Sequence, residues 1–258
     1  MKLFPVPVNI VRSQAAPRPA DVSVIVSLYN YGRYLTECLD SLAAQTQANL
    51  ELIVVDDASA DASLAVAEAW LDKHAEAFCG HKLISHLSNM GLSTVRNTAF
   101  AHASAPRVFV MDADNMLYPR AIARCGEAMS ADAGSAGAYT QLEYFGDRTG
   151  LGNANFWNRE LFKPRNYVDA MALVSKASWQ QVGGYDQLVV DGCEDYDFWC
   201  KFVEHDLHCN FVPEVLCRYR VHSKSMLHTQ TNPNMASLVL DLSVRHPWLD
   251  LTHFRNML

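Results

Sequence analysis

The sequence predicts an α/β fold in which helices flank a mostly parallel β-sheet. Short apolar runs alternate with segments of helical periodicity through the first half of the chain, and this alternation is typical of parallel strands joined by helical crossovers. Half of the 258 residues are hydrophobic and 19% are charged, so the chain can bury a large core. Because neither an internal repeat nor a sharp boundary interrupts the pattern, we expect a single domain.

Four strands and four helices are predicted before residue 137. The first strand, 22–28, reads VSVIVSL and is apolar almost throughout, as expected of a strand that is covered on both faces. From Leu35 to Leu42, apolar residues then recur at the spacing of one helix face. The same alternation predicts strands at 50–55, 82–86 and 107–111 and helices at 63–75, 92–103 and 119–129.

The second half of the chain is less regular. Its predicted elements are a strand at 138–145, a loop at 146–158, a helix at 194–205, a strand pair or extended segment at 210–221 that Pro213 interrupts, and a helix at 235–245. We divide the chain into an extended N-terminal arm or linker (1–20), an α/β domain (21–226) and a C-terminal helical extension (227–258). The arm is expected to be extended because it is rich in proline.

The charge balance narrows the class of partner. A net charge of −7 argues against general nucleic-acid binding, because a phosphate backbone attracts clustered Lys and Arg. An acidic protein can still bind a nucleotide diphosphate when a divalent cation lies between its carboxylates and the phosphates. The charge balance is therefore compatible with a small phosphorylated ligand that binds together with a metal ion.

The composition also bears on the cellular location. No apolar run approaches the roughly 20 residues that span a bilayer, and the first 21 residues make a poor signal peptide. Seven cysteines without a CxxC pair predict reduced thiols rather than a disulfide framework or a zinc site. We therefore expect a cytoplasmic protein, at most peripheral to the inner face of the membrane.

Polar side chains follow three of the predicted strands. Asn30 follows the first strand, Asp56 and Asp57 the second, and Asp112 and Asp114 the fourth. In parallel α/β sheets, ligands bind beyond these carboxyl ends. Asp112 and Asp114 are two residues apart, so both are expected to face one cation at a solvent-facing strand end, although a solvated loop explains this tripeptide equally well. Helix capping is the alternative for the Asp56–Asp57 pair.

Three later motifs place polar side chains at the ends of helices or strands. Arg96 lies one turn into the helix after Gly91, and it is either a surface residue or a ligand for a base or phosphate. The segment 194–199 puts three carboxylates into the first turn of a helix, where the helix dipole favours negative charge; three beside large aromatic residues indicate a pocket. His222 ends a strand, where packing is a commoner role for histidine than metal ligation.

Taken in order, seven segments resemble the family 2 glycosyltransferases of the GT-A fold. They are VSVIVSLYNYGRYLTECLDSL, LELIVVDDASAD, NMGLSTVRN, VMDADNML, WQQVGGYD, EDYDFW and YRVHSKSM. The resemblance implies a single Rossmann-like domain in which 21–136 bind the nucleotide sugar and 137–226 carry the catalytic base and the acceptor site. Ala58 stands where relatives usually have glycine, and Val95 where they usually have alanine. These departures should alter fit rather than chemistry.

The same resemblance implies roles in binding the nucleotide sugar. Asp57 would contact the nucleobase, and Arg96 would help to hold the nucleotide. Asp112 would touch the ribose or the metal ion, and Asn30 would belong to the same nucleotide-sugar site.

For the chemistry, the resemblance implies that Asp114 is the principal metal ligand and that His222 reaches the metal or the diphosphate. Asp195 would be the catalytic base that deprotonates the acceptor hydroxyl, with Glu194 beside it. The cofactor would be Mn²⁺ or Mg²⁺.

The implied activity is metal-dependent, inverting transfer of one sugar from a nucleotide diphosphate to a hydroxyl of a glycan, a lipid-linked saccharide or a similar acceptor. A single addition is expected because the chain lacks the QxxRW motif and the membrane helices of processive synthases. One alternative is a non-catalytic domain that binds nucleotide sugars. Another is a phosphohydrolase of the haloacid dehalogenase type, in which Asp-x-Asp usually follows the first strand rather than the fourth.

Overall fold

Within residues 6–188 and 192–252, which the computed structural model describes, one β-sheet of ten strands carries helices on both faces. The strands are β1 Val8–Gln14, β2 Val22–Leu28, β3 Leu50–Asp56, β4 Gly80–His86, β5 Arg107–Asp112, β6 Met116–Leu117, β7 Gly137–Gly146, β8 Gly150–Leu151, β9 Ala172–Ser175 and β10 Cys209–Val221. The helices are α1 Gly32–Ala43, α2 Ser63–His74, α3 Leu92–His102, α4 Ala121–Ala131, α5 Arg159–Phe162, α6 Lys176–Gln181, α7 Glu194–Glu204 and α8 Met235–Arg245.

The sheet is parallel in the half that the sequence predicted most clearly. Its order is β1-β4-β3-β2-β5-β9-β7-β10-β6, with β8 beside β7. Strands β4, β3, β2 and β5 are parallel neighbours, whereas β9 runs antiparallel between β5 and β7. The chain order reverses between β2 and β5, and this switch point is where parallel α/β sheets bind ligands.

Two apolar cores cover the two faces of the sheet. Alternate residues of each central strand point to opposite faces, so Val24 and Val26 of β2 pack against α1, α2 and α4, while Ile25 packs against α3 and α7. β2 and β3 are buried along their whole length. The predicted continuous apolar strands therefore form the middle of a three-layer structure.

Part of the predicted N-terminal arm belongs to the sheet. β1 pairs antiparallel with β4, with a register irregularity between Ile10 and Arg12. Arg12 also forms ion pairs with Glu68 and Asp72 of α2. The segment is extended, as predicted, but residues 8–14 are an edge strand rather than a linker. Prolines on both sides of residues 8–14 led us to predict a linker. Proline is in fact tolerated next to an edge strand, where its missing N–H costs no sheet hydrogen bond.

The irregular second half contains strands that the sequence did not reveal. β9 has only four residues, and β6 and β8 have two each, so none is long enough to show a periodic pattern. β8 also lies inside the predicted loop 146–158. Residues 209–221 form one strand, β10, rather than a pair, because shifts in register with β7 on both sides of Val215 accommodate Pro213.

The predicted C-terminal extension is integrated into the domain. Helix α8 has the predicted bounds, and its Leu238, Val239 and Leu242 are buried. The chain then turns at His246, whose two ring nitrogens lie 2.7 Å from Glu204 Oε1 and 3.1 Å from Asp197 Oδ1 of α7. This polar contact fixes the end of α8 on the helix that carries the predicted catalytic base.

The cysteines agree with the prediction of reduced thiols. All seven are free, and five of them are buried. Among the described helices, none has both the length and the apolar character needed to cross a bilayer.

The turn after β3 adopts a conformation that favours glycine. Ala58 has a φ of 58°, in the left-handed region that costs a residue with a Cβ roughly 1–2 kcal/mol. It directly follows the predicted site residue Asp57. The departure from the glycine of the resembled family therefore has a measurable physical consequence.

We expect Ala58→Gly to stabilise the protein by about 0.5–1 kcal/mol, because relief of the left-handed strain exceeds the added entropy of the unfolded chain. Urea unfolding measures the difference. Ala65→Gly, at an exposed position in α2, is the matched control and should destabilise by about 1 kcal/mol. Loss of stability in both variants would show that the turn is not strained.

The contact of His246 with α7 should make stability depend on pH. Burial alone lowers the pKa of a histidine, but hydrogen bonds to Asp197 and Glu204 raise the pKa of His246 above its ordinary value. A raised folded pKa gives a contribution that is fully present below about pH 6.5 and is lost as pH rises through the folded value.

We therefore expect His246→Gln to lower the free energy of unfolding by about 1–3 kcal/mol at pH 6 and by clearly less at pH 9. Thermal unfolding at both pH values provides the measurement. His228→Gln, at an exposed position, should have little effect at either pH. An equal loss for His246→Gln at both pH values would mean that the folded protein does not hold a charged His246.

Candidate active site

Polar side chains from distant parts of the chain meet at one edge of the sheet. The parallel strands β2, β3, β4, β5 and β10 end there, and the antiparallel β9 begins there. The predicted site residues at this edge are Asn30, Asp57, Arg96, Asp112, Asp114, Glu194, Asp195 and His222. The structure thus brings the residues that the sequence singled out to one edge of the sheet.

Asp57 and Asn30 fix the loops at the switch point. The Asp57 carboxylate accepts hydrogen bonds from the backbone N–H groups of Met90 and Gly91, both at 2.9 Å, and lies 2.6 Å from His86 Nδ1. Asn30 Oδ1 accepts from the N–H of Ala60 at 2.8 Å. Asp57 is buried, and both of its oxygens are engaged by protein donors in this conformation.

Arg96 is paired with two carboxylates at this edge. Its guanidinium donates from Nη1 to Glu194 Oε1 at 2.7 Å and from Nη2 to Asp112 Oδ1 at 3.0 Å. The residue is only 1% exposed, and the ring of Tyr185 lies 5.3 Å from its Cζ. Arg96 is therefore neither a surface residue nor a free phosphate ligand, since two carboxylates from different elements already neutralise it.

Asp112 and Asp114 have different hydrogen-bond partners. β5 ends at Asp112, so the alternation of a strand does not extend to Asp114, and Asp112 turns toward Arg96. Asp114 is 8% exposed, which corrects the expectation of a solvent-facing side chain. Its Oδ2 lies 3.0 Å from Nε2 of the equally buried His222. Burial raises the pKa of Asp114, and the hydrogen bond with His222, which lowers it, offsets only part of this rise.

Tyr31, Tyr34 and Arg220 enclose the pair formed by Asp114 and His222. The rings of Tyr31, directly before α1, and of Tyr34, in its first turn, lie 5.6 Å and 5.0 Å from the His222 ring. Arg220 donates from Nε to the backbone oxygen of Asp114 at 2.8 Å and lies over Tyr34. The sequence reasoning missed these residues, because the periodicity of α1 marks only its apolar face and the contact of Arg220 in β10 with that helix is set by tertiary structure.

A divalent cation fits the Asp114–His222 pair only in part. Within the described ranges, no three His, Cys, Asp or Glu side chains form a ready-made metal site. Asp114 nonetheless supplies the hard oxygen that Mg²⁺ and Mn²⁺ prefer, and His222 Nδ1 is buried without a hydrogen-bond partner in that part of the chain. Because Mg²⁺ commonly binds one or two carboxylates together with substrate phosphates, a diphosphate would complete the set of ligands.

The neighbouring side chains of Glu194 and Asp195 have different surroundings. Glu194 is paired with Arg96, whereas Asp195 lines a cavity of about 110 Å³. Asn166 donates from Nδ2 to Asp195 Oδ2 at 2.8 Å and so fixes the carboxylate. Burial, followed by the charges of Glu194 and Asp169, raises the pKa of Asp195 to about 8 against the opposing charge of Arg96. Of these two neighbours, Asp195 has the more exposed carboxylate.

Asp169 and Asn166 are site residues that the sequence reasoning missed. Both line the cavity with Asp195. Asp169 precedes β9, whose antiparallel direction places its first residue at the ligand-binding edge. A carboxylate before the apolar run MALV was the only signal in the sequence, and the strand direction needed to interpret it is set by tertiary structure.

A larger cavity, of about 390 Å³, lies at the opposite edge of the sheet, where β5 begins and α4 ends. It contains none of the predicted site residues. Since parallel α/β sheets bind ligands at the carboxyl ends of their strands, we place the candidate active site at the edge described above.

Solved structures of glycosyltransferases share this fold. S. aureus TarS 1–349 in complex with UDP-GlcNAc superposes with a TM-score of 0.68 at 19% identity, over 81% of this chain and 61% of that chain. The mannosyltransferase PcManGT from Pyrobaculum calidifontis, in complex with GDP-Man and Mn²⁺, gives 0.61 at 20% identity, over 81% and 59%. These likenesses confirm the predicted GT-A fold.

Curated relatives have similar sequences over most of this chain. Chondroitin synthase of Escherichia coli is 25% identical over 201 residues, which are 75% of this chain and 28% of the synthase. The putative glycosyltransferase EpsE of Bacillus subtilis strain 168 is 25% identical over 208 residues, 78% of this chain and 73% of EpsE. The chain thus spans little more than a quarter of the synthase.

The family model described as glycosyl transferase family 2 matches residues 23–176, which is more than half of the chain. This match covers the strands and the helix α3 that position Asp57, Arg96, Asp112 and Asp114. The predicted family and enzyme class are thereby confirmed: the chain belongs to the family 2 glycosyltransferases.

Proposed function

We propose that this chain transfers a single sugar from a nucleotide diphosphate to an acceptor hydroxyl, with inversion and with the help of Mn²⁺ or Mg²⁺. The observation that carries the proposal is that the Asp114–His222 pair and the cavity with Asp195 lie at the same sheet edge. Arg96 links their neighbourhoods, because it pairs with Asp112, two residues before Asp114, and with Glu194, directly before Asp195. A direct displacement needs such an arrangement, with a leaving-group site facing a base.

The nucleotide side is proposed at the loops after β2, β3 and β5. Asp57 holds the loop at Met90 and Gly91. It would therefore shape the pocket for the nucleobase through that loop, while its own oxygens remain hydrogen-bonded to the protein. Asn30 fixes the neighbouring turn. Asp112 is the partly exposed member of the Arg96 centre and would meet the ribose or the cation.

Asp114 and His222 would hold the metal ion together with the donor diphosphate. When bound, a divalent cation there would neutralise the charge that develops on the departing diphosphate. PcManGT, a structural neighbour, is a complex with GDP-Man and Mn²⁺, which supports this assignment.

Asp195 would act as the general base. Its carboxylate faces the cavity, its orientation is fixed by Asn166, and its pKa of about 8 lies near neutral pH, where general bases work best. It would accept the proton of the acceptor hydroxyl as the oxygen attacks the anomeric carbon. Glu194 would keep Arg96 in place rather than take the proton, because it is bound to that guanidinium.

The acceptor is proposed to be a saccharide or a related hydroxyl compound. The name of the relative chondroitin synthase supports a role in polysaccharide synthesis. The family assignment leaves the phosphohydrolase alternative without support. A non-catalytic domain that binds nucleotide sugars is the remaining alternative, and turnover decides between them.

We expect nucleoside diphosphates to bind with metal assistance. Because the described ranges contain no group of three metal-ligating side chains around Asp114 and His222, Mn²⁺ alone should bind weakly, and Mn²⁺ with UDP, GDP or dTDP should bind at least about tenfold more tightly. Isothermal titration calorimetry with Mn²⁺ or with EDTA measures this coupling.

Asp114→Asn should abolish the coupling, whereas Asp72→Asn, on the outer face of α2, should leave it unchanged. If EDTA makes no difference for the best-binding nucleotide, the metal-bridged site is wrong.

We expect Asp195→Asn to retain donor affinity while sugar transfer falls by at least about a hundredfold, because the amide cannot accept the proton. Glu194→Gln should retain more transfer but lower the melting temperature, since Arg96 loses a charged partner. Initial rates of transfer and donor titrations measure both variants. Normal transfer by Asp195→Asn with a collapse in Glu194→Gln would assign the base to Glu194.

Asp195→Asn should also stabilise the protein at alkaline pH. The folded pKa of Asp195 is about 8 and the unfolded value is about 4, so stability is lost as pH rises from about 4 to about 8. Asp195→Asn cannot ionise and should melt higher than wild type at pH 8, by about 2–4 °C for each kcal/mol gained. The difference should shrink at pH 5. Equal pH dependence of both proteins would mean that Asp195 is solvated.

A further inference from the structure

The cavity beside the proposed base has a lining suited to a polar ligand. Its volume of about 110 Å³ is far below the roughly 300–1,000 Å³ of pockets for whole drug-sized ligands, so it takes only one edge of a sugar. Its lining residues are Thr140, Leu142, Tyr144, Asn153, Ala154, Asn166, Tyr167, Val168, Asp169 and Asp195. Two carboxylates thus share a small cavity with aromatic, amide and hydroxyl groups.

Asp169 is held in this cavity with one oxygen unused. Its Oδ1 accepts the N–H of Met171 at 2.9 Å, which fixes the carboxylate at the start of β9. In the described part of the chain, neither a hydrogen-bond donor nor a Lys or Arg side chain pairs with Oδ2. Burial raises the pKa of Asp169 to about 6, so the group is largely ionised at neutral pH while it lacks a partner for that oxygen.

One loop orders both carboxylates. Asn166 holds Asp195 Oδ2 through its amide nitrogen, and its own Oδ1 accepts the N–H of Val168. Asp169 follows directly. The spacing between the base and Asp169 is therefore built into a single turn of the chain, which is the kind of rigid support that a binding site needs.

The residues that line the cavity indicate which ligand groups can bind there. An ionised carboxylate only accepts hydrogen bonds, so a ligand group that enters the cavity beside Asp169 must bring a donor to the free oxygen of that carboxylate. The attacking hydroxyl satisfies Asp195. We propose that Asp169 binds a second hydroxyl of the acceptor, next to the attacking one, and that the acceptor is a sugar or polyol with neighbouring hydroxyls rather than an isolated alcohol.

This inference rests on the proposed function, and its test separates the two. With Mn²⁺ and UDP-GlcNAc, UDP-glucose or GDP-mannose, two rates are measured: hydrolysis of the donor by water, and transfer to a panel of methyl glycosides. For the glycoside that wild type uses best, each monodeoxy derivative is then compared in wild type, in Asp169→Asn and in the control Asp147→Asn, which is exposed in the turn before β8. The asparagine variant keeps Oδ1 for Met171, so it should fold.

We expect removal of the hydroxyl next to the attacked position to lower kcat/KM of wild type by about 10–100-fold, which is the worth of a hydrogen bond to a charged group. Asp169→Asn should show a similar loss with the intact glycoside and little further loss with that deoxy derivative, because both changes remove the same contact. Donor hydrolysis should stay within about twofold of wild type, and Asp147→Asn should match wild type throughout.

Two results would overturn the role of Asp169 and leave the proposed function intact. In the first, the loss of kcat/KM from Asp169→Asn and the loss from the deoxy derivative add up. In the second, Asp169→Asn keeps the wild-type preference for the intact glycoside over the deoxy derivative. A parallel fall in donor hydrolysis would assign Asp169 to the donor side and also overturn it. If wild type neither hydrolyses nor transfers any of the three donors, the proposed function fails, and the inference fails with it.

Discussion

The buried guanidinium of Arg96 holds three parts of the chain together at the candidate active site. It lies between Asp112 at the end of β5 and Glu194 at the start of α7, and it belongs to α3. A buried charge is costly unless it is paired, so these three elements must meet for any of the three side chains to be accommodated. Asp114 follows Asp112 by two residues, and Asp195 follows Glu194 directly. The ion pairs thus set the positions of the groups proposed for the metal ion and for proton transfer.

Two buried carboxylates in this protein show how partners decide the effect of burial. At the opposite edge of the sheet, burial raises the pKa of Glu51, but hydrogen bonds from Ser23, Ser104 and Lys82 outweigh it and lower the pKa overall. Asp195 receives fewer donors, and nearby carboxylates add to burial, so its pKa rises. The fully bonded carboxylate stabilises the fold. The poorly bonded one has a raised pKa, which is the property that the proposed general base requires.

The candidate site therefore combines satisfied and unsatisfied polar groups. Asp57 and Glu194 are bound by protein donors and shape the edge. Asp169 and Asp195 line a cavity that a ligand would complete. Natural proteins commonly accept such a loss of stability where activity requires it. The strained turn at Ala58 is a second, smaller cost beside the same site.

The sequence by itself determined the α/β class, the central parallel strands and most of the polar residues that meet at the candidate site. Short apolar runs that alternate with helical periodicity predict buried parallel strands, and polar residues after such strands meet at one edge, as Asn30, Asp57 and Asp112 do. Tertiary structure decided the rest. The short strands β6, β8 and β9 have no periodicity of their own, and the direction of β9, which places Asp169 in the cavity, depends on its neighbours. Whether a carboxylate is free or paired, as for Asp195 and Glu194, depends on where Arg96 arrives from another helix, and no local pattern encodes that contact.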